Sequence, residues 1–251
     1  MADLSIPADD VFELNAANKR AWHSPTKVLD HYLRLVKKHG LEKIDSNNQY
    51  QKVREMKAVA LFLLGIIKNQ KREFWLQSVI NETRPDVRTF CLDNTRLGPV
   101  NQLIQEVEVT TYEKHSHDDL VNFITRTKLL KKKNYSALNI ILCELRKNFR
   151  LPPLKTLNWQ FRKINPKSNI VIIGRINPVR EIYRIANIYP EIELVEDFNA
   201  IDEAKALHRY FVQNGRHHTI RLSRSTKSEI KFTPIPGKAP GPFDDFLNEN
   251  D

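Results

Sequence analysis

Two stretches in the middle of the chain alternate between polar and apolar positions. In Ile104-Gln105-Glu106-Val107-Glu108-Val109-Thr110, Val107 and Val109 fall on one face of a strand, and Glu106 and Glu108 on the other. The earlier stretch, Pro85-Asp86-Val87-Arg88-Thr89-Phe90, lies in a strand predicted over 84–92. Asp93-Asn94-Thr95-Arg96 and Gly98-Pro99 make a polar turn between them. The simplest connection is an antiparallel hairpin that carries Asp86 towards Glu106 and Glu108.

Around this hairpin the apolar spacing is helical. Ser24-Pro25 is an N-cap followed by proline at the first helical position; Val28, Leu29, Tyr32, Leu33 and Val36 form a stripe, and Gly40 ends it. A second helix is predicted over 49–69, with Val53, Met56, Ala60, Leu63, Leu64 and Ile67 inward, and a third segment, 71–80, reads as helix through Phe74 and Trp75. A short helix is expected before Ser24. Beyond the hairpin, Ser116 and Asp119 resemble a capping box opening a helix through Leu120, Phe123, Ile124 and Thr127. The run 137–145 is a buried strand, parallel to its neighbour after the helical crossover. Then follow a helix over 152–164, a strand over 169–174, a helix over 177–186, a strand near 191–196, a helix over 198–214 and a basic hairpin over 216–231.

Hydrophobic residues at 41% and aromatics at 9% describe a globular chain able to bury a core, not a disordered one. The net charge of +10 understates the basic surface, because Asp244 to Asp251 hold four acids and no base; residues 1–236 carry 39 bases and 26 acids. Such an excess points to a polyanion, with nucleic acid favoured over membrane. The longest apolar run, Ala58 to Ile67, is too short to span a bilayer, and no secretory segment opens the chain, so a cytoplasmic protein is expected. Cys91 and Cys143 sit in apolar runs and read as small buried hydrophobes rather than disulfide partners.

Two carboxylates on one strand face, with a third across the hairpin, call for a cation, since like charges are costly to bring together unpaired. Pro-Asp opening one strand, then an acid-x-acid strand about twenty residues later and a helix, resembles the PD-(D/E)XK nuclease superfamily over residues 50–145. Where that family usually carries Lys, this chain has Glu108. The resemblance implies a restriction-endonuclease-like mixed β-sheet flanked by helices, in an α/β protein with an N-terminal helical region (1–81), a nuclease-like core (82–167), a C-terminal α/β extension (168–232) and a Pro/Gly-rich acidic tail (233–251). It implies an Mg²⁺- or Mn²⁺-dependent endonuclease on DNA, as used in restriction, phage defence, transposition or repair. Asp86 and Glu106 are then the metal ligands, and Glu108 positions or activates the attacking water. Homodimers or further protein subunits are plausible partners, because paired sites cut both strands of a duplex. Glu55 or Glu73 is placed to add a helix-borne acid.

The same residues suggest phosphate contacts. Arg88 shares a strand face with Asp86, and five bases (Arg126, Lys128, Lys131, Lys132 and Lys133) close the helix after the motif strand; Lys128 is also placed to stand in for the motif lysine. His115 and His117 have metal-ligand spacing without a third soft ligand nearby. Two other readings remain open: a nuclease-like nucleic-acid-binding or assembly subunit without cleavage, and a protein-interaction module. The latter rests on Ile172-Ile173-Gly174 with Asn177-Pro178-Val179-Arg180, which resembles the second half of a STAS domain but without its Asp-Ser-Ser-Gly segment. Phe243, Phe246 and Leu247 in the tail are candidates for docking on a partner.

Overall fold

Ser24 starts the first helix as its composition demands: its Oγ accepts the Lys27 N–H at 3.1 Å, and Pro25 contributes no donor to the unsatisfied first turn. That helix, α1 (Pro25–His39), ends at Gly40 with φ of 81°, a conformation glycine adopts without a Cβ penalty. A short α2 (Leu41–Ser46) leads to α3 (Gln51–Ile67), whose residues from Ala58 to Gly65 are buried all round. A helix apolar on every side belongs in the middle of a protein. Gly65 is its point of closest approach: a Cβ there would lie 2.8 Å from both Ile185 Cδ1 and Phe198 Cε1.

The structure, a computed structural model, describes residues 21–68, 73–79, 85–92, 102–113, 119–130, 139–146, 152–224 and 230–234. The protein is a mixed α/β fold in which one mixed sheet is flanked by helices. Its strands are β1 (Ala21–His23), β2 (Glu73–Ser78), β3 (Val87–Leu92), β4 (Gln102–Tyr112), β5 (Asn139–Leu145), β6 (Asn169–Asn177), β7 (Ile182–Tyr189), β8 (Val195–Asn199), β9 (Thr219–Arg224) and β10 (Ile230–Pro234), in the order β10-β9-β1-β2-β3-β4-β5-β6-β7-β8. β4, β5 and β6 run parallel to one another, and the other pairs are antiparallel. The remaining helices are α4 (Leu120–Ile124), which continues as a π turn (Thr125–Leu129), α5 (Leu154–Ile164) and α6 (Ala200–Gln213).

The pleat divides the core. Ile140, Leu142, Val171 and Ile173 join α1, α3 and α6 on one side; Ile141, Cys143, Ile170 and Ile172 join α4 and α5 on the other. Strands covered on both faces read as continuous apolar runs, as 137–145 does.

Three expectations are corrected. The segment 71–80 is not helical: Phe74, Trp75 and Leu76 are consecutive buried residues of β2, paired with β3. β2 therefore supplies a strand before Asp86. The segment 177–186 is a turn followed by β7, antiparallel to β6, so the strand–helix–strand order behind the STAS likeness is absent. Asn177 Oδ1 accepts the Arg180 N–H at 3.0 Å as a helix cap would, but Glu181 follows with φ of 48°, held by Arg175 and Tyr183, and reverses the chain. The strand near 191–196 begins only at Val195. Asp119 is itself the N-cap of α4, accepting from the Asn122 N–H at 2.8 Å; Ser116 and the helix expected before Ser24 lie outside the described residues. Cys91 and Cys143 are buried and not disulfide-bonded, and among the described residues no helix is long and apolar enough to cross a membrane.

A histidine pair ties the start of α1 to α6 and to the residue that precedes β9. Ser24 N–H donates to the His218 carbonyl at 2.8 Å, Ser24 Oγ lies 2.7 Å from His218 Nδ1, and His208 Nδ1 lies 3.0 Å from His218 Nε2. Burial, with His208 and Lys27 close by, pulls the His218 imidazole down to about 4. A base with a lowered folded-state pKa binds fewer protons folded than unfolded, so its contribution is complete above about pH 6.5 and is lost as pH falls towards 4. Melting temperature should fall across that window in the native protein, and the fall should shrink in His218→Asn; equal profiles would exclude His218 as the titrating group.

Candidate functional site

Register decides which acids meet. β3 and β4 pair as Val87 with Val107 and Arg88 with Glu106, which sets Asp86 across from Glu108 rather than Glu106. The β3 partner stops at Val87, whereas β4 continues to Tyr112 beside β5. The Asp86 carboxylate fills the step this leaves: its Oδ2 accepts the Val109 N–H at 2.8 Å, in place of the missing strand.

Lys128 reaches into the same step from the π turn after α4. Its Nζ donates to Glu108 Oε2 at 3.0 Å and to Asp86 Oδ2 at 3.3 Å, so two carboxylates from adjacent strands converge on one cation. The Glu108 side chain is only 3% exposed, and a carboxylate so enclosed requires such a partner. From α3, Lys52 Nζ lies 3.6 Å from Asp86 Oδ1 and 2.8 Å from Glu55 Oε2, while Gln51 Nε2 donates to Glu55 Oε1 at 2.8 Å. Glu55 thus joins the site through a lysine. Glu73 does not: it accepts from Tyr210 and Arg216, both at 3.0 Å.

The other predicted residues occupy the margin. Glu106 is 44% exposed, with Oε1 3.9 Å from Arg88 Nε and Oε2 accepting from Asn139 Nδ2 at 3.0 Å. Arg88 is similarly exposed, on the same face. Arg126 is exposed on the π turn; Lys131, Lys132, Lys133, His115 and His117 lie outside the described residues. Lys128 was legible as one base among five and as a stand-in for the motif lysine; its approach to two acids distant in sequence depends on the crossover from β4 to β5.

Among the described residues no group of three or more His, Cys, Asp or Glu side chains is placed to hold a metal ion. The pair Asp86 and Glu108 nonetheless offers what Mg²⁺ takes from proteins: one or two carboxylates, with the remaining positions left to water and phosphate oxygens. Their convergence on a single ammonium shows that the two groups are near enough to share a cation.

A larger groove of about 1430 Å³ opens at the carboxyl ends of β4, β5 and β6. Its cations are already matched: Lys57 with the Glu144 carboxylate, Arg146 with Asp45 and Glu113, and Arg175 with Glu181. The step at Asp86 is the better chemical candidate because an enclosed carboxylate, Glu108, shares one ammonium with Asp86 there, whereas both acids that meet Arg146 are exposed.

No protein-family model matches the chain, and the search of curated proteins finds no match.

Proposed function

We propose that the protein is a metal-dependent DNA endonuclease of the PD-(D/E)XK type, with Asp86 and Glu108 as its acidic pair and Lys128 as its lysine. The observation that carries this reading is the convergence of Asp86 and Glu108 on Lys128 where β3 stops and β4 continues. The order α3, β2, β3, β4, α4, β5, with β5 parallel to β4, supports it, because it supplies the strand that the helix–strand–strand–helix–strand pattern otherwise lacks. The basic charge of residues 1–236 supports a nucleic-acid substrate.

On this reading the motif is displaced by one pleat from the sequence expectation. Glu108 takes the ligand position assigned to Glu106, Thr110 stands where the strand lysine is usual, and the ammonium comes from the following helix. Mg²⁺ or Mn²⁺ held by Asp86 and Glu108 would neutralise phosphate charge and activate water. The Val109 N–H fixes the Asp86 carboxylate, and Lys128 presents a proton-bearing cation to a phosphate oxygen or a water. Glu55 and Lys52 buttress Asp86 from the α3 side. Arg88 and Glu106, exposed beside the pair, bound the approach to it.

Supercoiled and linear DNA incubated with Mg²⁺ or Mn²⁺ tests the assignment. Asp86→Asn and Glu108→Gln should each lower cleavage by roughly a hundredfold or more, whereas Glu106→Gln should retain most of it. A requirement for Glu106 with indifference to Glu108 would reverse the register argument. Native protein that binds DNA but cuts nothing would leave the second reading, a binding or assembly subunit. That reading has its own support in Lys128, which already compensates the two acids without a metal.

A further inference from the structure

Between Leu120 and Arg180 the chain carries fourteen Lys and Arg residues and one acid, Glu144. That acid is bonded to Lys57 of α3, so it faces away from α4 and α5. The helices that cover the side of the sheet holding Lys128, α4 with its π turn and α5, themselves carry basic and neutral side chains only. α5 is the most exposed of them. It buries Leu157 and Phe161 against the sheet and turns Lys155, Trp159, Arg162 and Lys163 outward, with Lys167 just beyond its end.

Trp159 is the exception to the chain's handling of tryptophan. Trp22 and Trp75 are 7% and 2% exposed; Trp159 is 57% exposed, in the middle of this basic face. The spacing of Lys155, Trp159 and Lys163 at i, i+4 and i+8 aligns them in one row. Lys163 Nζ lies 3.3 Å from the centre of the indole ring, a cation–π contact over one of its faces. Arg162 is paired with Glu191 at 3.1 Å, whereas Lys155 and Lys167 have no carboxylate partner among the described residues. Unpaired lysines around an exposed indole are the combination that binds nucleic acid with unpaired bases: the cations follow phosphates, and the ring stacks on a base of any identity.

We propose that the outer face of α5 is a binding platform for single-stranded nucleic acid, with Trp159 stacking on an unpaired base and Lys155, Lys163 and Lys167 contacting phosphates on either side. This rests on the nucleic-acid reading above and makes it more specific: the preferred substrate carries unpaired bases, as at a gap, flap or junction, and not a fully paired duplex. An ordinary surface helix would place neither its tryptophan outward nor every charge of one sign.

The test uses the full chain carrying Asp86→Asn, without divalent metal, so that binding is read apart from cleavage. Fluorescence anisotropy would compare a single-stranded oligonucleotide, the matching duplex and the duplex with a short gap, for this protein and with Trp159→Ala added. Binding to the single strand and the gap should weaken roughly 5- to 100-fold in the Trp159→Ala protein, with little change on the duplex. Intrinsic tryptophan emission should be quenched on binding, because Trp159 is the exposed indole. Replacing Lys155, Lys163 and Lys167 together by Gln should reduce the slope of log affinity against log salt by about 2. Equal affinities with and without Trp159, or a uniform loss on all three substrates, would overturn the platform. So would failure to bind any of them. Cleavage by the native protein, assayed in parallel, decides the nuclease reading independently, since Trp159 is no part of the Asp86 site.

Discussion

Replacing Lys57 by Met should cost the fold about 3 kcal/mol, seen as a melting temperature lower by roughly 6–12 °C. Lys57 lies in α3 and Glu144 in β5, and the two are joined in the core with side chains 14% and 9% exposed. Burial alone would lower the Lys57 pKa, but the Glu144 carboxylate raises it above its ordinary value; burial would raise Glu144, but Lys57 holds it below. Each charge is tolerable because of the other. The variant leaves Glu144 with only the more distant Arg54 and Arg146, which places the expected cost at the lower end for a broken buried pair. The double variant Lys57→Met with Glu144→Leu should recover most of the loss, since a buried ion pair is often no more stabilising than apolar residues of similar volume. A single variant as stable as the native protein, by thermal or urea unfolding, would show that the pair is solvated.

Lys128→Met should act on stability and activity in opposite senses once metal is present. Without metal, Glu108 loses its cation inside the protein, and stability should fall by about 2–4 kcal/mol. The same change vacates the place between the two carboxylates, so Mg²⁺ or Mn²⁺ should raise the melting temperature of the variant more than that of the native protein, as binding to the folded state alone requires. DNA cleavage should meanwhile fall by roughly a hundredfold, because the ammonium is gone. Thermal shifts with and without metal, set beside the cleavage rates, read all three effects. Equal metal shifts in the two proteins would argue that Asp86 and Glu108 do not form the metal pair; undiminished cutting would remove Lys128 from the mechanism.

What the sequence discloses follows from how local each signal is. Ser24-Pro25 and Gly40 mark the ends of α1 because capping is decided within four residues. The alternation of 104–110 identifies β4, and the apolar run 137–145 identifies β5. β2 escapes detection because Phe74-Trp75-Leu76 is buried on successive residues, and a short apolar run has the same appearance in a strand and a buried helix. The helix expected after Asn177 fails for another reason: an Asx turn and a helix cap use the same side-chain hydrogen bond, and the difference lies in the positive φ of Glu181.

The meeting of acids was legible in kind, but not which glutamate lies across from Asp86. Both glutamates share a face, so alternation cannot say which of them meets Asp86; the hairpin register does, and it is fixed by how β3 and β4 close, not by the residues of β4. Lys128 could be singled out only by the resemblance, because a contact across 42 positions comes from the path of the crossover and leaves no local pattern.

On the proposed reading, the bond from Val109 to Asp86 gives one carboxylate two employments. An oxygen acceptor at 86 finishes the edge of the sheet whether or not any phosphate is ever cut. If hydrolysis is the activity, as proposed, a descendant that abandoned it would still be under pressure to keep aspartate or asparagine there, while glutamate at 108, enclosed beside its cation, would be free to become apolar together with Lys128. On that reading, the joint fate of 108 and 128, rather than the survival of the Pro-Asp pair, would distinguish working enzymes from retired ones.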